Sequence, residues 1–439
     1  MAGEPSLART PAGPTSDWMD EILRGHGMSA DAEREADGTL AGASLGLRQR
    51  STLLDLDRQL HAHWNLGRNL ILAWCPYESG VLALVVPHYA VAEYASAGGG
   101  AAAAEDARQD FVLRLLSGPR RFDLRQISNA ARLLHAEPVY LALRQPLAGS
   151  DGETQLIDHM VRRYGVSFVP SRAVALFDIV GFSLLRPFEQ MTQLNSLAHS
   201  LNSAHSKMIG SRVNVNFARS GTGDGFYIWN RDLGVEANTN LYHLMHLVLA
   251  DNAIARRKAV GRSVPLLRAC FHAGSCYEFH HAEGLNPTLT TQIVGDVTIE
   301  LARMIERALP GQILVGDFHA SLPDDDAAAG RTFDLDAVQF MDRAQGNLSR
   351  LNGLELAGEA IESIKCYLTG RARADGTFTI RRLAISDKHG LTHRVFNAKV
   401  NIYRRAAEPI LLGIEDRYLQ GDQGALATAG HIVRPATTH

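Results

Sequence analysis

The chain has little that would point to a secreted, membrane-bound or nucleic-acid-binding protein. Its 439 residues include only four cysteines, and no C-x-x-C pair occurs, so we expect neither a disulfide framework nor a cysteine-rich metal site. No window reaches the roughly 18 apolar residues of a membrane-spanning helix, and the first residues lack the apolar core of a secretory signal. Lys and Arg number 44 against 47 Asp and Glu, so no overall basic field attracts nucleic acid. We therefore expect a soluble, cytoplasmic protein with reduced cysteines and with no membrane or nucleic-acid partner.

The remaining composition is that of an ordinary globular protein. Hydrophobic residues make up 46% and charged residues 21% of the chain, and its length allows two to three domains of about 150 residues each. Residues 1–47 are rich in Ala, Gly, Ser and acidic residues, a composition that buries too little apolar surface to fold. We expect a disordered tail there and a second loose tail over residues 405–439.

Two folded domains are predicted between these tails. Residues 48–150 combine helix-spaced apolar positions with short apolar runs, which predicts a small α/β domain with a regulatory or dimerising role. The run LAGSDGE predicts a linker, and the helical segment after it is expected to enter the second domain, residues 151–404. In that domain strands and helices alternate around a glycine-rich hairpin, which predicts an α/β fold of the α+β type.

Two aspartates stand out in the second domain. Asp178 interrupts the apolar run ALFDIVGF, and a buried carboxylate is costly unless it is paired, metal-bound or at a strand end. Asp224 lies in SGTGDGF, where glycines permit a tight turn and a close approach of the backbone to a ligand. Two such oxygen ligands on adjacent strands suit Mg²⁺ or Mn²⁺. Taken singly, each aspartate is more typical of a helix cap or a hairpin turn.

Five motifs follow one another between residues 171 and 317: ALFDIVGFS, GDGFYIW, FHAG, GDVxxxxAR and PGQILV. In this order they resemble the catalytic domain of class III adenylate/guanylate cyclases, and the resemblance extends weakly to residue 404. It implies a mixed, mainly antiparallel sheet with flanking helices. It also implies a homodimer whose active sites lie at the subunit interface, and a nucleoside triphosphate as the substrate.

The resemblance also implies roles for individual residues. Asp178 and Asp224, with the carbonyl oxygen of Ile179, would hold two divalent cations, Mn²⁺ or Mg²⁺. Arg303 occupies the family position whose guanidinium stabilises the charge that develops on the phosphates; alternatively it is a solvated helix arginine.

A second phosphate-binding cation is expected from the same resemblance. Lys388, in the turn-like run DKHG, is our candidate for it. Lys399 is the competing choice, and an ordinary solvated lysine is an equally typical interpretation of either position.

The positions that would recognise the base depart from the family pattern. Ser220 and Gln292 stand where adenylate cyclases carry a lysine and an aspartate or threonine, and both side chains can donate as well as accept hydrogen bonds. This pattern resembles the bacterial pyrimidine cyclases of anti-phage Pycsar systems, and among substrates it favours UTP, converted to 3′,5′-cyclic UMP. Phe177 is predicted to contact the base, and Phe217 and Arg219 are further candidates that serve equally well as hairpin residues.

One further departure leaves two alternatives open. Ile299 stands where the family has an asparagine, so one orienting hydrogen bond is absent or is supplied elsewhere. Beside the pyrimidine cyclase, the chain could then be a degenerate module that binds nucleotide and signals without catalysis. The other alternative is an adenylate or guanylate cyclase with an atypical base pocket.

Overall fold

The computed structural model describes residues 47–97, 102–282, 289–324, 331–370, 378–419 and 432–433. The predicted tail over residues 1–47 lies outside these ranges except for its last residue, and so does most of the segment after residue 419. The chain forms two compact units. The first comprises residues 1–168 with 278–292, and the second comprises residues 169–277 with 293–439.

The first unit contains a three-stranded antiparallel sheet in the order β1-β2-β3. Its strands are β1 (Asn69–Tyr77), β2 (Gly80–Pro87) and β3 (Val139–Ala142). The helices described in this unit are α1 (Leu47–Trp64), α2 (Ala90–Ser96), α3 (Ala102–Ser117), α4 (Leu124–Leu133) and α5 (Asp151–Arg163). Leu53, Leu56 and Leu60 lie on one face of α1 and join the core of this unit, as the i, i+3, i+4 spacing of a helix predicts.

The boundary between the units lies after residue 168, not after residue 150 as the linker-like sequence predicts. Ser150 caps α5 by accepting a hydrogen bond from the N–H of Glu153. The helix then packs within the first unit, where Trp74 Nε1 donates to Asp158 Oδ1 at 2.7 Å. Helix caps and linkers are rich in the same small polar residues. Only these long-range contacts show that the helix belongs to the first unit.

After β3 the strands along the chain are β4 (Val166–Ile179), β5 (Phe217–Gly221), β6 (Gly225–Asn230), β7 (Leu267–Ala282), β8 (Leu289–Val294), β9 (Ile313–Gly316), β10 (His319–Pro323), β11 (Thr332–Asp336), β12 (Glu355–Leu356), β13 (Glu359–Leu368), β14 (Phe378–Thr379), β15 (Arg382–Ser386), β16 (Thr392–Arg404), β17 (Ala407–Leu412) and β18 (Ile432–Val433). Three of them, β4, β7 and β8, cross a unit boundary.

The second unit is built on a large sheet in the strand order β12-β13-β16-β9-β7-β4-β6-β5. Beside this path, β15 and β17 pair with β16, and β8 pairs with β7. Strands β7 and β9 run parallel, whereas β4–β6, β5–β6, β9–β16, β13–β16, β15–β16 and β16–β17 are antiparallel. Two short antiparallel pairs, β10–β11 and β14–β18, lie apart from this sheet.

The helices described in the second unit are α6 (Pro187–Gly210), α7 (Val235–Lys258), α8 (Asp296–Arg307) and α9 (Ala337–Asn347).

Helices cover both faces of the large sheet. Phe177 of β4 belongs to the core that contains α6, α7 and α9, whereas Leu176 belongs to the core that contains Leu301 and Met304 of α8. Neighbouring strand residues point to opposite faces, so the two cores lie on the two sides of the sheet. The predicted mixed, mainly antiparallel sheet with flanking helices is confirmed.

The sheet continues past the predicted domain end at residue 404. Strand β17 pairs with β16, with Val400 opposite Leu412, so the start of the predicted loose tail is part of the fold. No helix within the described ranges combines the length and apolar character needed to span a membrane.

Candidate active site

Two aspartates lie side by side where β4 meets the β5–β6 hairpin. Asp178 is the penultimate residue of β4 and pairs with Gly225 at the start of β6. Asp224 directly precedes Gly225 in the hairpin loop, and its carbonyl oxygen accepts a hydrogen bond from the N–H of Ile179 at 3.0 Å. The hairpin therefore joins in one place the three residues that the resemblance assigns to metal binding.

Glycine at position 225 makes this approach possible. A Cβ atom there would lie 1.9 Å from the carbonyl oxygen of Phe177, so no other residue fits without moving the backbone. Gly223 has a φ of +99°, a left-handed conformation that glycine adopts without steric cost. The two glycines that flank Asp224 thus allow the turn and the close contact with β4.

The carboxyl group of Asp178 is crowded by like and unlike charges. Burial raises its pKa, the hydrogen bond and positive charge of Arg268 lower it, and the nearby Asp224 raises it again, with a net upward shift. Arg268 Nε donates to Asp178 Oδ2 at 2.6 Å. A divalent cation between the two carboxylates would remove their mutual repulsion, so the electrostatics of the pair fit a cation site.

The donor set of this pair fits Mg²⁺ or Mn²⁺ that also binds phosphate. Within the described residues, no group of three or more His, Cys, Asp and Glu side chains could hold a metal ion. Two carboxylates must therefore be supplemented by other oxygens, such as a backbone carbonyl or the phosphates of a substrate. Mg²⁺ is commonly bound in this way, through one or two carboxylates plus substrate phosphates and water.

Arg268 is the residue of this site that the sequence reasoning missed. It is the second residue of β7, and its Nη1 donates to the carbonyl oxygen of Ala308 at 3.0 Å, which fixes the guanidinium next to Asp178. The available signal was the same one that marked Asp178. Both are single charged residues that interrupt an apolar strand, here in PLLRACFHAG.

A second polar group surrounds Arg303 on α8. Arg303 Nε lies 3.3 Å from Asp387 Oδ2, and its Nη1 lies 3.5 Å from Glu300 Oε1. Lys388 follows Asp387 in the β15–β16 loop, and its Nζ lies 3.5 Å from Glu306 Oε1, on α8. The structure thus brings Arg303 close to the loop that carries Lys388.

Lys399 has a different environment from Lys388. It lies within β16, is mostly buried, and its Nζ lies 3.6 Å from Glu415 Oε1. The Lys388 side chain is 68% exposed and so is the more accessible of the two candidates for a ligand phosphate.

The strand register separates the Asp178 group from the β16 end of the contacts around Arg303. Ala269 of β7 pairs with Ile313, and Ile313 pairs with Ala398 of β16, so the row of residues beside Arg268 crosses β16 near Ala398. His393, whose Nδ1 lies 2.8 Å from Glu300 Oε2, is five residues from Ala398 along β16, or about 16 Å at roughly 3.3 Å per residue. No hydrogen bond or ion pair among the described residues joins the two groups.

The predicted base-contacting residues lie on three different strands, β5, β8 and β4. Ser220 lies on β5 opposite Tyr227, and Gln292 lies on β8; both are half-buried. The prediction for Phe177 is wrong, because its side chain is fully buried in the hydrophobic core. Adjacent residues of a strand face opposite sides, so Phe177 points away from the side to which Asp178 points.

The two further candidates on the hairpin have partners of their own. The ring of Phe217 packs edge-on against His205 at a centroid distance of 4.6 Å, and the Arg219 guanidinium lies 5.5 Å from the ring centroid of Phe226. These contacts match their interpretation as hairpin residues. Ile299 lies one turn before Arg303 on α8 and is 46% exposed, so an apolar side chain faces solvent near the arginine.

Comparison with solved structures finds adenylyl and guanylyl cyclase domains. One is the guanylate cyclase domain of RhGC from Catenaria anguillulae in complex with GTP, at 10% identity over 54% of this chain and 99% of that chain, with a TM-score of 0.32. Another is the adenylyl cyclase CyaB from P. aeruginosa, at 12% identity over 53% and 95% of the two chains, with a TM-score of 0.29. The guanylyl cyclase Cya2 gives 11% identity over 53% of this chain and 92% of that chain, also with a TM-score of 0.29.

No family model and no curated protein matches the sequence. Identities of 10–12% do not establish an activity for this chain.

Proposed function

We propose that the second unit is a metal-dependent nucleotide cyclase, which converts a nucleoside triphosphate into a 3′,5′-cyclic nucleotide and pyrophosphate. The observation that carries the proposal is the pair of adjacent carboxylates, Asp178 and Asp224, with the guanidinium of Arg268 beside them. When bound, divalent cations would supply Lewis-acid stabilisation of the phosphates and would favour ionisation of the ribose 3′-hydroxyl. The ordered cyclase-like motifs around these residues support the same reaction.

In such a cyclisation the protein mainly orients the reacting groups and stabilises the charge on the phosphates. The 3′-oxygen attacks the α-phosphorus and forms a new P–O bond, the bond from the α-phosphorus to the bridging oxygen breaks, and pyrophosphate leaves with that electron pair. The proton of the 3′-hydroxyl passes to solvent. Asp178 and Asp224 would orient the reacting groups from one side, and the positive charge of Arg268 beside them would favour the anionic triphosphate.

We further propose that two chains complete each site. Arg303 and Lys388 supply positive charge suited to the phosphates, but within one chain no hydrogen bond or ion pair among the described residues joins them to Asp178. A homodimer would place the Arg303 group of one subunit against the carboxylates of its partner. Mixing Asp178→Ala with Arg303→Ala protein tests this arrangement, because each mixed dimer would carry one intact site; if two inactive variants stay inactive when mixed, the shared site is excluded.

For the substrate we propose a pyrimidine nucleotide, with UTP preferred. The uracil edge presents two carbonyl acceptors on either side of an N–H donor, and the side chains of Ser220 and Gln292 can donate and accept. The product would act as a second messenger, and the resemblance to pyrimidine cyclases favours a role in anti-phage defence. An adenylate or guanylate cyclase with an atypical pocket is the competing assignment.

A catalytically inactive nucleotide-binding module is a second candidate function. The observation in its favour is Ile299, an exposed apolar side chain one turn from Arg303. A module that only binds nucleotide has no need for the complete set of Asp178, Asp224 and Arg303. A comparison of the parent with its aspartate variants separates the two functions.

The test is product analysis by mass spectrometry after incubation with Mn²⁺ and each of the four nucleoside triphosphates. We expect 3′,5′-cyclic UMP as the main product of the parent and none from Asp178→Ala or Asp224→Ala. Asp251→Ala is the matched control, because Asp251 pairs with Lys207 at 2.8 Å and contacts neither group; it should retain activity. Cyclic AMP or cyclic GMP as the main product would correct the substrate, and no cyclic product from any nucleotide would overturn the enzyme assignment.

A further inference from the structure

Asp387 is nearly inaccessible to solvent and uses both of its carboxylate oxygens. Its side chain is 1% exposed. Oδ1 accepts hydrogen bonds from the backbone N–H groups of His389 at 2.8 Å and Leu391 at 2.9 Å. Oδ2 lies 3.3 Å from Arg303 Nε and 3.3 Å from His393 Nε2. One oxygen therefore fixes the loop between β15 and β16, and the other faces the arginine.

A second acid and a histidine complete a ring around Arg303. His393 Nδ1 lies 2.8 Å from Glu300 Oε2, while Glu300 Oε1 lies 3.5 Å from Arg303 Nη1. His393 thus bridges the two acids, and its side chain is itself mostly buried. Because the ring joins α8 to the β15–β16 loop, it holds the arginine from two different elements.

The charge state of Asp387 suits this arrangement. Burial would raise its pKa, but the hydrogen bonds from Leu391, His389 and His393 and the charge of Arg303 outweigh burial and lower the pKa below its ordinary value. The carboxylate is therefore ionised at neutral pH and can hold a guanidinium.

The contacts divide the donors of Arg303 between two tasks. Nε faces Asp387, Nη1 makes only the long contact with Glu300, and Nη2 has no hydrogen-bond partner among the described residues. An arginine side chain loses rotamer entropy when it is fixed. An arginine that is already anchored through Nε would avoid most of that cost when its outer nitrogens bind a phosphate.

We propose that Asp387 is a positioning residue, which anchors Arg303 through Nε so that the outer guanidinium nitrogens stay directed toward the triphosphate. The inference rests on the proposed cyclase function. Asp387 does not contact the substrate; it acts through Arg303. Glu300 and His393 support the same geometry from α8 and β16.

Asp387→Asn tests the charge contact while keeping the shape of the loop. The amide oxygen can still accept from His389 and Leu391, but the amide nitrogen would face Arg303 Nε in place of an acceptor. We expect kcat to fall roughly tenfold to a hundredfold with KM nearly unchanged, and a melting temperature close to that of the parent. Asp416→Asn is the control, because Asp416 pairs with Arg381 at 3.2 Å in a similarly sheltered ion pair; it should leave kcat unchanged.

A double-mutant cycle separates positioning from a general structural role. Arg303→Ala and the double variant Asp387→Asn/Arg303→Ala should have the same low kcat, because removing the anchor matters only when the arginine is present. Additive losses, or a parent-like kcat for Asp387→Asn, would overturn the proposal. Arg303→Lys tests the same contact from the other partner, whose side chain is 29% exposed. The lysine keeps the positive charge but lacks Nε, so a parent-like kcat in this variant would also overturn the proposal.

Mixed dimers assign Asp387 to its half of the site. Asp387→Asn mixed with Asp178→Ala should regain activity, whereas Asp387→Asn mixed with Arg303→Ala should not. Recovery with Arg303→Ala but not with Asp178→Ala would place Asp387 in the carboxylate half and contradict the inference. An inactive parent would overturn the proposed function and this inference together, whereas an active parent with an unaffected Asp387→Asn variant overturns this inference alone.

Discussion

Arg268 Nε donates to Asp178 Oδ2 at 2.6 Å, and this contact joins the start of β7 to the end of β4. It opposes the two influences that raise the pKa of Asp178, which are burial and the neighbouring Asp224. Arg268 thus helps to keep the buried aspartate ionised and able to bind a cation.

The first prediction concerns this contact. Arg268→Gln should raise the pKa of Asp178 further, because an adjacent opposite charge lowers the pKa of an aspartate by about one to three units. Mn²⁺ binding, measured by calorimetry between pH 5 and pH 8, should move to higher pH by about one unit or more. Arg381→Gln, which removes the partner of Asp416, is the control and should leave the profile unchanged. An unaltered profile in Arg268→Gln would show that the arginine does not control the charge of Asp178.

The second prediction is that Asp178 lowers the stability of the metal-free protein at pH 7 but allows it to bind a stabilising cation. Its folded-state pKa lies above the ordinary value, so its contribution to stability is present at low pH and is lost as pH rises toward the folded-state pKa. At pH 7 without divalent cations, Asp178→Asn should therefore unfold at the same temperature as the parent or higher. Thermal melts with EDTA and with MnCl₂ check this: the cation should stabilise the parent but not the variant. A variant that melts well below the parent in EDTA would contradict the charge assignment.

The third prediction concerns His243, a buried residue of α7. Its Nε2 lies 2.8 Å from the carbonyl oxygen of Ala344. Burial lowers its pKa from 6.5 to about 4, so the folded state binds fewer protons than the unfolded chain between these values. Stability is then greatest above about pH 6.5 and falls as pH decreases toward 4, by up to about 3 kcal/mol at 1.36 kcal/mol per pKa unit.

Urea unfolding at pH 7 and pH 4.5 measures this dependence. His243→Gln keeps a donor for Ala344 but cannot be protonated, so the free energy of unfolding should depend less on pH than it does in the parent. His199→Gln alters an exposed histidine on α6 and should leave the parent's pH dependence in place. Equal slopes in all three proteins would exclude His243 as a source of acid sensitivity.

The fourth prediction compares two glycines of the Asp224 hairpin. Gly225→Ala would place a Cβ atom 1.9 Å from the carbonyl oxygen of Phe177, whereas a Cβ at Gly221 meets nothing within 4 Å. Gly225→Ala should cost about 3 kcal/mol or more of stability and abolish cyclase activity, because the hairpin must move away from Asp178. Gly221→Ala should stay within about 0.5 kcal/mol of the parent. Chemical denaturation and product assays on both variants check the comparison, and equal behaviour of the two would contradict the close approach.

The parts of the site that could be predicted from the sequence are those encoded locally. Asp178 and Asp224 each carry their own signal, an acid in an apolar strand and an acid between turn glycines, and the alternation of strands and helices indicates the fold type. Phe177 could have been excluded in the same way, because a residue next to Asp178 on a strand must face the other side.

The parts that could not be predicted depend on pairing between distant segments. Arg268 meets Asp178 only because β7 lies next to β4, and Asp387 meets Arg303 only because the β15–β16 loop packs on α8. The unit boundary was missed for the same reason. The hydrogen bond that assigns the helix of Asp158 to the first unit comes from Trp74, which lies 84 residues earlier in the chain. Short motifs carry no information about such partners.

The most direct test of the cyclase assignment is the stoichiometry of the two products in one reaction. Cyclisation releases one pyrophosphate for every cyclic nucleotide, so a purified parent with Mn²⁺ and its preferred triphosphate should form both in equal amounts, and Asp224→Asn should form neither. Pyrophosphate or inorganic phosphate released without a 3′,5′-cyclic nucleotide, or equal activity in Asp224→Asn, would contradict the account.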